Sequence, residues 1–371
     1  MAQLTRISSS LKMGIVGMAN VGKSSTFNML SKQSVPAENF PFCTIDPNQA
    51  VVKVPDPRFD YLCQIFKPKS QVFSTLSIID IAGLVKGASE GYGLGNEFLA
   101  HIQAVDGLYQ VVRAFEKEKI VHTEGTMDPI RDLQIISEEL MAKDYQFVSK
   151  RVDEYSKKIK KYEANKNVSV EAREMVEQYK VLQKCDELLK KKQWVRYQKW
   201  TDQEQIQLRK IQLLTAKPSI YLINLSKEDH DAYAAKKQNK YAKPIEQWVS
   251  KNSPDSKIVY YSVENQDEQQ LLDQIIIAGY DLLGLIRFFT VGSDEVRSWT
   301  VKKNIKAPQA AAVIHSDFEK GFVNAEVMSF EKFKKLGDNA LDVYEKKFSK
   351  EGKDYIVKDG DIIHFKTKSF K

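Results

Sequence analysis

The stretch "MGIVGMANVGKSST", residues 13–26, decides the fold. An apolar run from Met13 to Val16 leads into Gly17-x-x-x-x-Gly22-Lys23-Ser24, and a helical pattern follows from Ser25 to Leu30. Strand, glycine-bounded loop and helix in that order form the context that a P-loop requires. Glycines let the backbone approach a phosphate closely, and successive N–H groups with the helix N-terminus make an anion cradle. In such a loop Lys23 reaches the β- and γ-phosphates and Ser24 ligates Mg²⁺. Asn20 has two readings, one as a loop-shaping residue and one as a ligand for a monovalent cation such as K⁺.

The other parts of a nucleotide switch follow in order. "STLSIIDIAGLVKG" (74–87) is an apolar strand ending in Asp80-x-x-Gly83. Asp80 is placed to hold Mg²⁺ through water, and the Gly83 amide to face the γ-phosphate. Between the two motifs, "AENFPFCTIDPNQA" (37–50) offers Thr44 to the metal and the γ-phosphate. The glycine-dense "KGASEGYGLGNEF" (86–98) is long enough to be a switch segment. Leu84 stands where many switch proteins carry the glutamine that orients water. Intrinsic hydrolysis is therefore expected to be slow, or another group positions the water. His122 in "EKEKIVHTEG" (116–125) is the candidate, with His101 in "NEFLAHI" (96–102) as the second.

The base-reading loop is "YLINLSKEDH", 221–230. A guanine-specific switch has Asn-Lys-x-Asp there, but this chain has Asn224-Leu225-Ser226-Lys227. Guanine presents two donors that a carboxylate accepts. Lysine is a pure donor and leaves them unpaired. Adenine presents its N1 as an acceptor, which Lys227 can meet, while its amine can donate to a carbonyl near Leu225. Lys227 thus disfavours guanine and permits adenine; Glu228 nearby and a Lys227 turned to solvent are the alternatives. "YYSVEN" (260–265) ends a later strand and backs the base through Ser262 and Val263.

With 371 residues, 42% hydrophobic and 28% charged, the composition is that of a globular protein of two or three domains. The chain has no apolar run long enough for a membrane span. Cys43, Cys63 and Cys185 make neither a disulfide framework nor a metal spacing, and they read as reduced thiols of a cytosolic protein. Net charge is +7, and residues 151–200 alone hold 14 Lys/Arg against 8 Asp/Glu. That stretch has helical periodicity. It reads either as a solvated hairpin or as a projecting basic arm that meets RNA phosphate. Apolar strands alternate with helices up to about Glu124, and the pattern resumes after the arm. The fold class is therefore α/β, with the arm inserted into one domain. From about Ile286, the short runs "RFFTVG", "SWTVKK", "AAVIHSD", "FVNAEVMSF" and "YIVKDGDIIHF" predict a small strand-rich α+β module.

"NVGKSS" (20–25), "AENFPFCTIDPN" (37–48), "DIAGLVKGASEGYGLGNEFL" (80–99) and "KAPQAAAVIHSDFEKGF" (306–322) together resemble the YchF/Obg-like ATPase family. The likeness runs from about Lys12 to Phe365. It implies a P-loop G domain at 11–125 and 211–285, an inserted helical arm at 126–210, and a β-grasp TGS domain at 286–369. His315, Asp317 and Lys320 would lie on an exposed turn of the latter, which could bind RNA, the ribosome or a nucleotide, or serve as a packing partner of the G domain. The resemblance further implies preference for ATP over GTP, slow Mg²⁺-dependent hydrolysis, and ribosome association linked to translation and stress response. Phosphate contacts fall on Asn20, Val21, Gly22, Lys23, Ser24 and Ser25, metal contacts on Ser24, Thr44 and Asp80, and base contacts on Asn224 and Leu225. The catalytic set is then Lys23, Thr44, Asp80, Gly83 and His122. The expected molecule is a cytoplasmic monomer, also nuclear in some settings. The other readings are a nucleotide-gated scaffold or RNA-binding protein with incidental hydrolysis, and a conventional GTPase. The family's acidic base-loop position is Lys227 here, and His364 replaces an aromatic near the end of its last module.

Overall fold

The structure is a computed structural model that describes residues 11–34, 48–81, 83, 87, 101–117, 125–163, 170–235, 237, 239–265, 269–337, 341 and 347–368. Thr44, Leu84 and His122 lie outside the described residues. The described residues form two compact units, one from 12–50 and 77–283, the other from 11, 51–76 and 284–368. In chain order the first elements are β1 (Lys12–Val16), α1 (Lys23–Ser31), β2 (Gln49–Lys53), α2 (Pro57–Phe66), β3 (Ser70–Val72), β4 (Thr75–Asp80) and β5 (Gly107–Arg113). Next come α3 (Pro129–Glu163), α4 (Val170–Lys190), α5 (Asp202–Ile211), β6 (Ser219–Asn224), α6 (Lys227–Ala234), α7 (Ala242–Asn252), β7 (Ile258–Tyr261) and α8 (Gln269–Leu282).

A six-stranded sheet runs in the order β2-β4-β1-β5-β6-β7, and its β4–β1, β1–β5, β5–β6 and β6–β7 pairs are parallel. Every residue of β5 and β6 is buried, as expected of central parallel strands covered on both faces. The register matters more than the count. Ile15 pairs with Asp80, Arg113 with Asn224, and Asn224 with Tyr261. The carboxyl ends of β1, β4, β6 and β7 therefore meet along one edge. Chain order reverses at β1, between β4 and β5, the place where an open α/β sheet leaves a crevice.

Helix α3 is 35 residues long, roughly 50 Å at the usual rise. Its first half buries Leu133, Ile136 and Leu140; its second half pairs with α4. Asp144 marks the change. Its carboxylate, fully buried, accepts from the Leu214 and Thr215 amides at 3.0 and 2.7 Å and from Thr215 Oγ1 at 2.6 Å. Burial pushes its pKa up to about 6 against those three donors. Below it, the buried Arg196 guanidinium stacks on Trp194 at 3.9 Å and donates to the Lys217 carbonyl at 2.8 Å and Ser253 Oγ at 2.9 Å.

The second unit adds β8 (Leu285–Thr290), β9 (Glu295–Lys302), α9 (Ala307–Ile314), α10 (Ser316–Lys320), β10 (Phe322–Ser329), α11 (Phe330–Lys334), β11 (Ser349–Glu351) and β12 (Asp361–Thr367). With β3 they form a sheet of order β11-β10-β12-β8-β9-β3. Phe59, Leu62, Phe289 and Phe333 pack in one core of this unit, and Phe288, Ala310, Ala311 and Ile363 in another. Segment 51–76 is tied in by charge. Asp56 accepts from Arg58 Nε at 3.0 Å and pairs with Arg287 Nη1 at 3.2 Å, while Arg58 Nη1 reaches Asp359 at 2.8 Å. One expectation is corrected. "AAVIHSD" is not a strand but the end of α9 and the start of α10. Alanine is the best helix former, Pro308 occupies the first turn, and Ala307, Ala310 and Ala311 recur at helical spacing on the buried face. In "YIVKDGDIIHF" only Asp361 onward is strand, because residues 358–360 turn.

If Asp144 anchors the arm, Asp144→Ala leaves three buried donors unpaired and costs about 2–4 kcal/mol. Urea unfolding followed by far-UV circular dichroism measures this, and an unchanged midpoint would remove the anchor.

Candidate functional site

The loop after β1 turns at two left-handed residues, Asn20 (φ 61) and Gly22 (φ 103). At Gly22 a Cβ would sit 2.5 Å from Asn224 Nδ2; at Gly17 it would sit 2.6 Å from the Val111 carbonyl. Close approach thus requires glycine at both positions, and at Gly22 the left-handed conformation requires it as well. Gly22 caps α1 with no side-chain acceptor, and the first turn carries no acidic residue. Its leading amides are left to an anion. Asn20, Ser24 and Ser25 are exposed on this loop, and Val21 is buried.

Lys23 is buried, and its Nζ donates to the Met18 carbonyl at 2.7 Å. Burial lowers its pKa to about 8, against the pull of Asp80. Gly83 lies beside it, since a Cβ there would be 2.9 Å from Lys23 Nζ. Register thus brings the Asp80-x-x-Gly83 loop onto the P-loop, as the spacing predicts. Burial raises the Asp80 carboxyl, while a hydrogen bond from Ser24 and the charge of Lys23 lower it. Asp80 Oδ1 is buried and has no hydrogen-bond partner among the described residues. A carboxylate oxygen left orphaned beside a serine hydroxyl suits a hard cation completed by phosphate oxygens and water. Ser24 and Asp80 therefore fit Mg²⁺.

The base side is built differently from the simplest reading of the motif. The Asn224 carboxamide is buried and spent internally. Its Nδ2 donates to the Val21 carbonyl at 3.0 Å, and its Oδ1 accepts from the Val263 amide at 3.3 Å. The Leu225 side chain belongs to a core with Ile223 and Ile245, and its amide donates to the Tyr261 carbonyl at 2.8 Å. Only its carbonyl is left for a ligand. Ser262 is fully buried, and its hydroxyl accepts from the Glu264 amide at 3.3 Å. Lys227 is the first residue of α6, exposed, behind a Ser226 cap. Glu264 escapes a motif reading. It pairs with Lys117 at 2.7 Å and accepts the Lys227 amide at 3.3 Å. Its place in "YYSVEN" is the only sequence signal for it. His101 is exposed on a helix, at some remove in the chain from these loops.

Comparison with known proteins settles the family. A model described as a 50S ribosome-binding GTPase matches residues 12–151, and a YchF GTPase C-terminal model, described as a protein of unknown function, matches 285–368. Obg-like ATPase 1 of rice (japonica) is 45% identical over 381 residues, covering 98% of this chain and 93% of the relative. The human and chicken proteins of that name are also 45% identical, each covering 97% of this chain and 93% of the relative. The chain belongs to the YchF/Obg-like ATPase family. The solved YchF GTPase of Schizosaccharomyces pombe superposes with a TM-score of 0.83 at 42% identity, covering 98% of this chain and 99% of that one. Membership makes the chain a P-loop nucleotide hydrolase. Among the described residues no helix is long and apolar enough to cross a membrane.

The Lys23 shift has a measurable sign. With its folded pKa near 8 and the unfolded value at 10.5, the unfolded chain holds this proton more tightly. Native stability therefore rises with pH between those values, and the charged form is a cost below them. A phosphate at Nζ reverses the shift. Nucleotide binding at pH 8.5 should take up protons, and affinity should fall as pH climbs through 8. Calorimetry in two buffers of different ionisation enthalpy tests it, and heats that do not depend on buffer at pH 8.5 would refute it.

Proposed function

We propose that this chain is a Mg²⁺-dependent ATP hydrolase, with GTP the weaker substrate, whose nucleotide state gates association with the ribosome and thereby translation and stress response. The observation that carries the adenine preference is the chemistry around the base loop. Glu264 is committed to Lys117 and to the Lys227 amide, and Asp229 is bonded to Ser226. Lys227, a donor, holds the position where guanine needs a carboxylate. The Leu225 carbonyl is the acceptor for the adenine amine. A site lacking the pair that guanine needs discriminates by roughly 10²–10⁴-fold.

In the phosphate site, the amides from Asn20 to Ser25 bind the phosphate chain and Lys23 neutralises it. Ser24, Asp80 and Thr44 hold the metal, which when bound withdraws charge from the transferred phosphoryl group. The Gly83 amide faces the γ-phosphate. Leu84 donates nothing to water, so turnover is slow, with His122 as the group that orients water and Asn20 as a K⁺ ligand. Leu84 also favours the second reading, a nucleotide-gated scaffold in which hydrolysis is incidental.

Two features support coupling to the arm. The Gly87 amide, four residues beyond Gly83, donates to Glu139 Oε1 on α3 at 2.6 Å. The arm is basic, and its hairpin (126–210) is inserted between the two parts of a G domain (11–125 and 211–285), which a TGS domain (286–369) follows. The molecule acts as a cytoplasmic monomer, also entering the nucleus, and meets the ribosome and its RNA with the arm and the TGS domain.

Calorimetric titration with ATP and GTP, with Mg²⁺ and K⁺ present, should give micromolar ATP binding and GTP at least tenfold weaker. Lys227→Asp should move the preference toward guanine. Equal binding would mean that residues 224–227 do not read the base edge, and tighter GTP would hand that role to Glu228. The ribosomal part has its own test. The Lys190→Ala/Lys191→Ala/Lys192→Ala variant should bind ribosomes with a shallower salt dependence. An unchanged slope takes the arm out of the interface.

A further inference from the structure

Between α3, α4 and α5 lies a cavity of about 310 Å³ that the nucleotide site does not use. Three α3 residues one helical turn apart form one wall, with Arg151 between Phe147 and Tyr155. The guanidinium carbon lies 5.5 Å from the Phe147 ring centre and 5.9 Å from that of Tyr155. Tyr155 is fixed from across the pocket by a 3.1 Å hydrogen bond from its hydroxyl to Gln178 Oε1 on α4. Lys210 of α5 lines the opposite side and is paired with Glu174. Gln103 completes the wall, and its carbonyl is held by Lys217 Nζ at 3.1 Å.

The state of Arg151 is the informative feature. Its guanidinium makes no ion pair or hydrogen bond with any described residue. An exposed arginine whose guanidinium lies beside two rings while its five donors stay open is placed for a flat, anion-bearing partner. Aromatic rings with an interleaved guanidinium plane are how proteins seat unpaired bases, the cation then meeting the adjacent phosphate. The volume is at the low end for ligand sites, roughly 300–1,000 Å³, and admits one base rather than a duplex. A membrane surface needs a flat or convex basic patch, not a cavity. An acidic peptide uses the charges but not the rings.

We propose that this pocket seats one unpaired nucleotide of RNA, with Arg151 stacking on the base and meeting its phosphate and Lys210 as the second cation. It rests on the reading that the arm meets ribosomal RNA, and it places the contact at the arm's base, beside the segment that follows the glycine-rich loop, rather than along its lysine-rich tip.

The test is fluorescence anisotropy of a single-stranded RNA decamer bearing 2-aminopurine, titrated with the full-length protein. Wild type should bind and quench the 2-aminopurine by stacking. Arg151→Ala should weaken binding by about tenfold and abolish the quenching. Arg151→Lys, which keeps charge but not the plane, should lose most of the same; Tyr155→Phe should stay within about twofold. ATP turnover should not change in any of them, and the thermal midpoint should not change in the Arg151 variants, since Arg151 is exposed and outside the phosphate site. Arg151→Lys matching wild type would overturn the stacking role, and Arg151→Ala matching wild type the site itself. Poly-glutamate or anionic vesicles competing as well as unlabelled RNA would overturn the choice of RNA. If wild type binds no RNA at all, the parent reading fails as well, an outcome distinct from the variants' results.

Discussion

The Asn224 carboxamide is the constraint on which the site depends. One side chain at the end of a central strand bonds the P-loop through the Val21 carbonyl and the β7 turn through the Val263 amide. It also occupies the space a Cβ at Gly22 would need, which fixes that residue as glycine. Because both of its polar atoms are buried, breaking either bond leaves an unpaired group at a cost of about 1–3 kcal/mol. Three loops from three strands thus hold one another in place before any ligand is considered. The consequence for recognition is direct. A group that braces the frame is not free to be the principal reader of the base, which is why the proposed function gives that role to the Leu225 carbonyl and to position 227.

Much of this was legible in the chain, and the reason differs by element. The P-loop and Asp80-x-x-Gly83 are read from spacing because strand, loop and helix are dictated locally, and parallel pairing then brings them together. The pairing of Ile15 with Asp80 is the step that spacing could not supply. The arm is read from periodicity over long helices, where the signal is strongest. The alanine-rich run at 307–314 misleads because four small residues have no strong period, and propensity rather than pattern decides it. The segregation of residues 51–76 with the C-terminal residues was invisible, because it rests on the pairs Asp56–Arg287 and Arg58–Asp359, whose members lie more than 200 positions apart. Glu264 was missed for a similar reason. Its partners, Lys117 and the Lys227 amide, come from different crossings of the sheet.

Several buried cations of the nucleotide unit are met by carbonyl oxygens. Lys23 donates to Met18, Arg196 to Lys217, and the Lys217 ammonium to Gln103 and Val105. Dipoles offset part of the desolvation cost, and at Lys23 the remainder leaves an attraction for an anion. At Lys23 this is useful, and the lowered pKa is its signature. At Lys217 the same arrangement clamps residues 103–105 to the sheet.

These anchors bear on how a state at the phosphate site reaches the arm. The chain after Gly83 is held early by the bond of Gly87 to Glu139 and late by Lys217, with Gly83 itself packed against Lys23. A ligand shifts a conformational equilibrium only through contacts that differ between the two states. On the proposed function the differing contact is at Lys23, whose Nζ donates to the Met18 carbonyl here and would turn to a phosphate with nucleotide bound. Because Glu139 lies on the half of α3 that is packed into the domain, and Asp144 pins the next turns, a displacement of Gly87 acts on a rigid helix near its fixed end. A small shift at that end of a helix some 50 Å long becomes a larger one at its tip, while the Arg151 pocket, close to the pivot, moves least. A contact near the pivot and a contact at the tip would then answer differently to the nucleotide, the first nearly constant and the second gated.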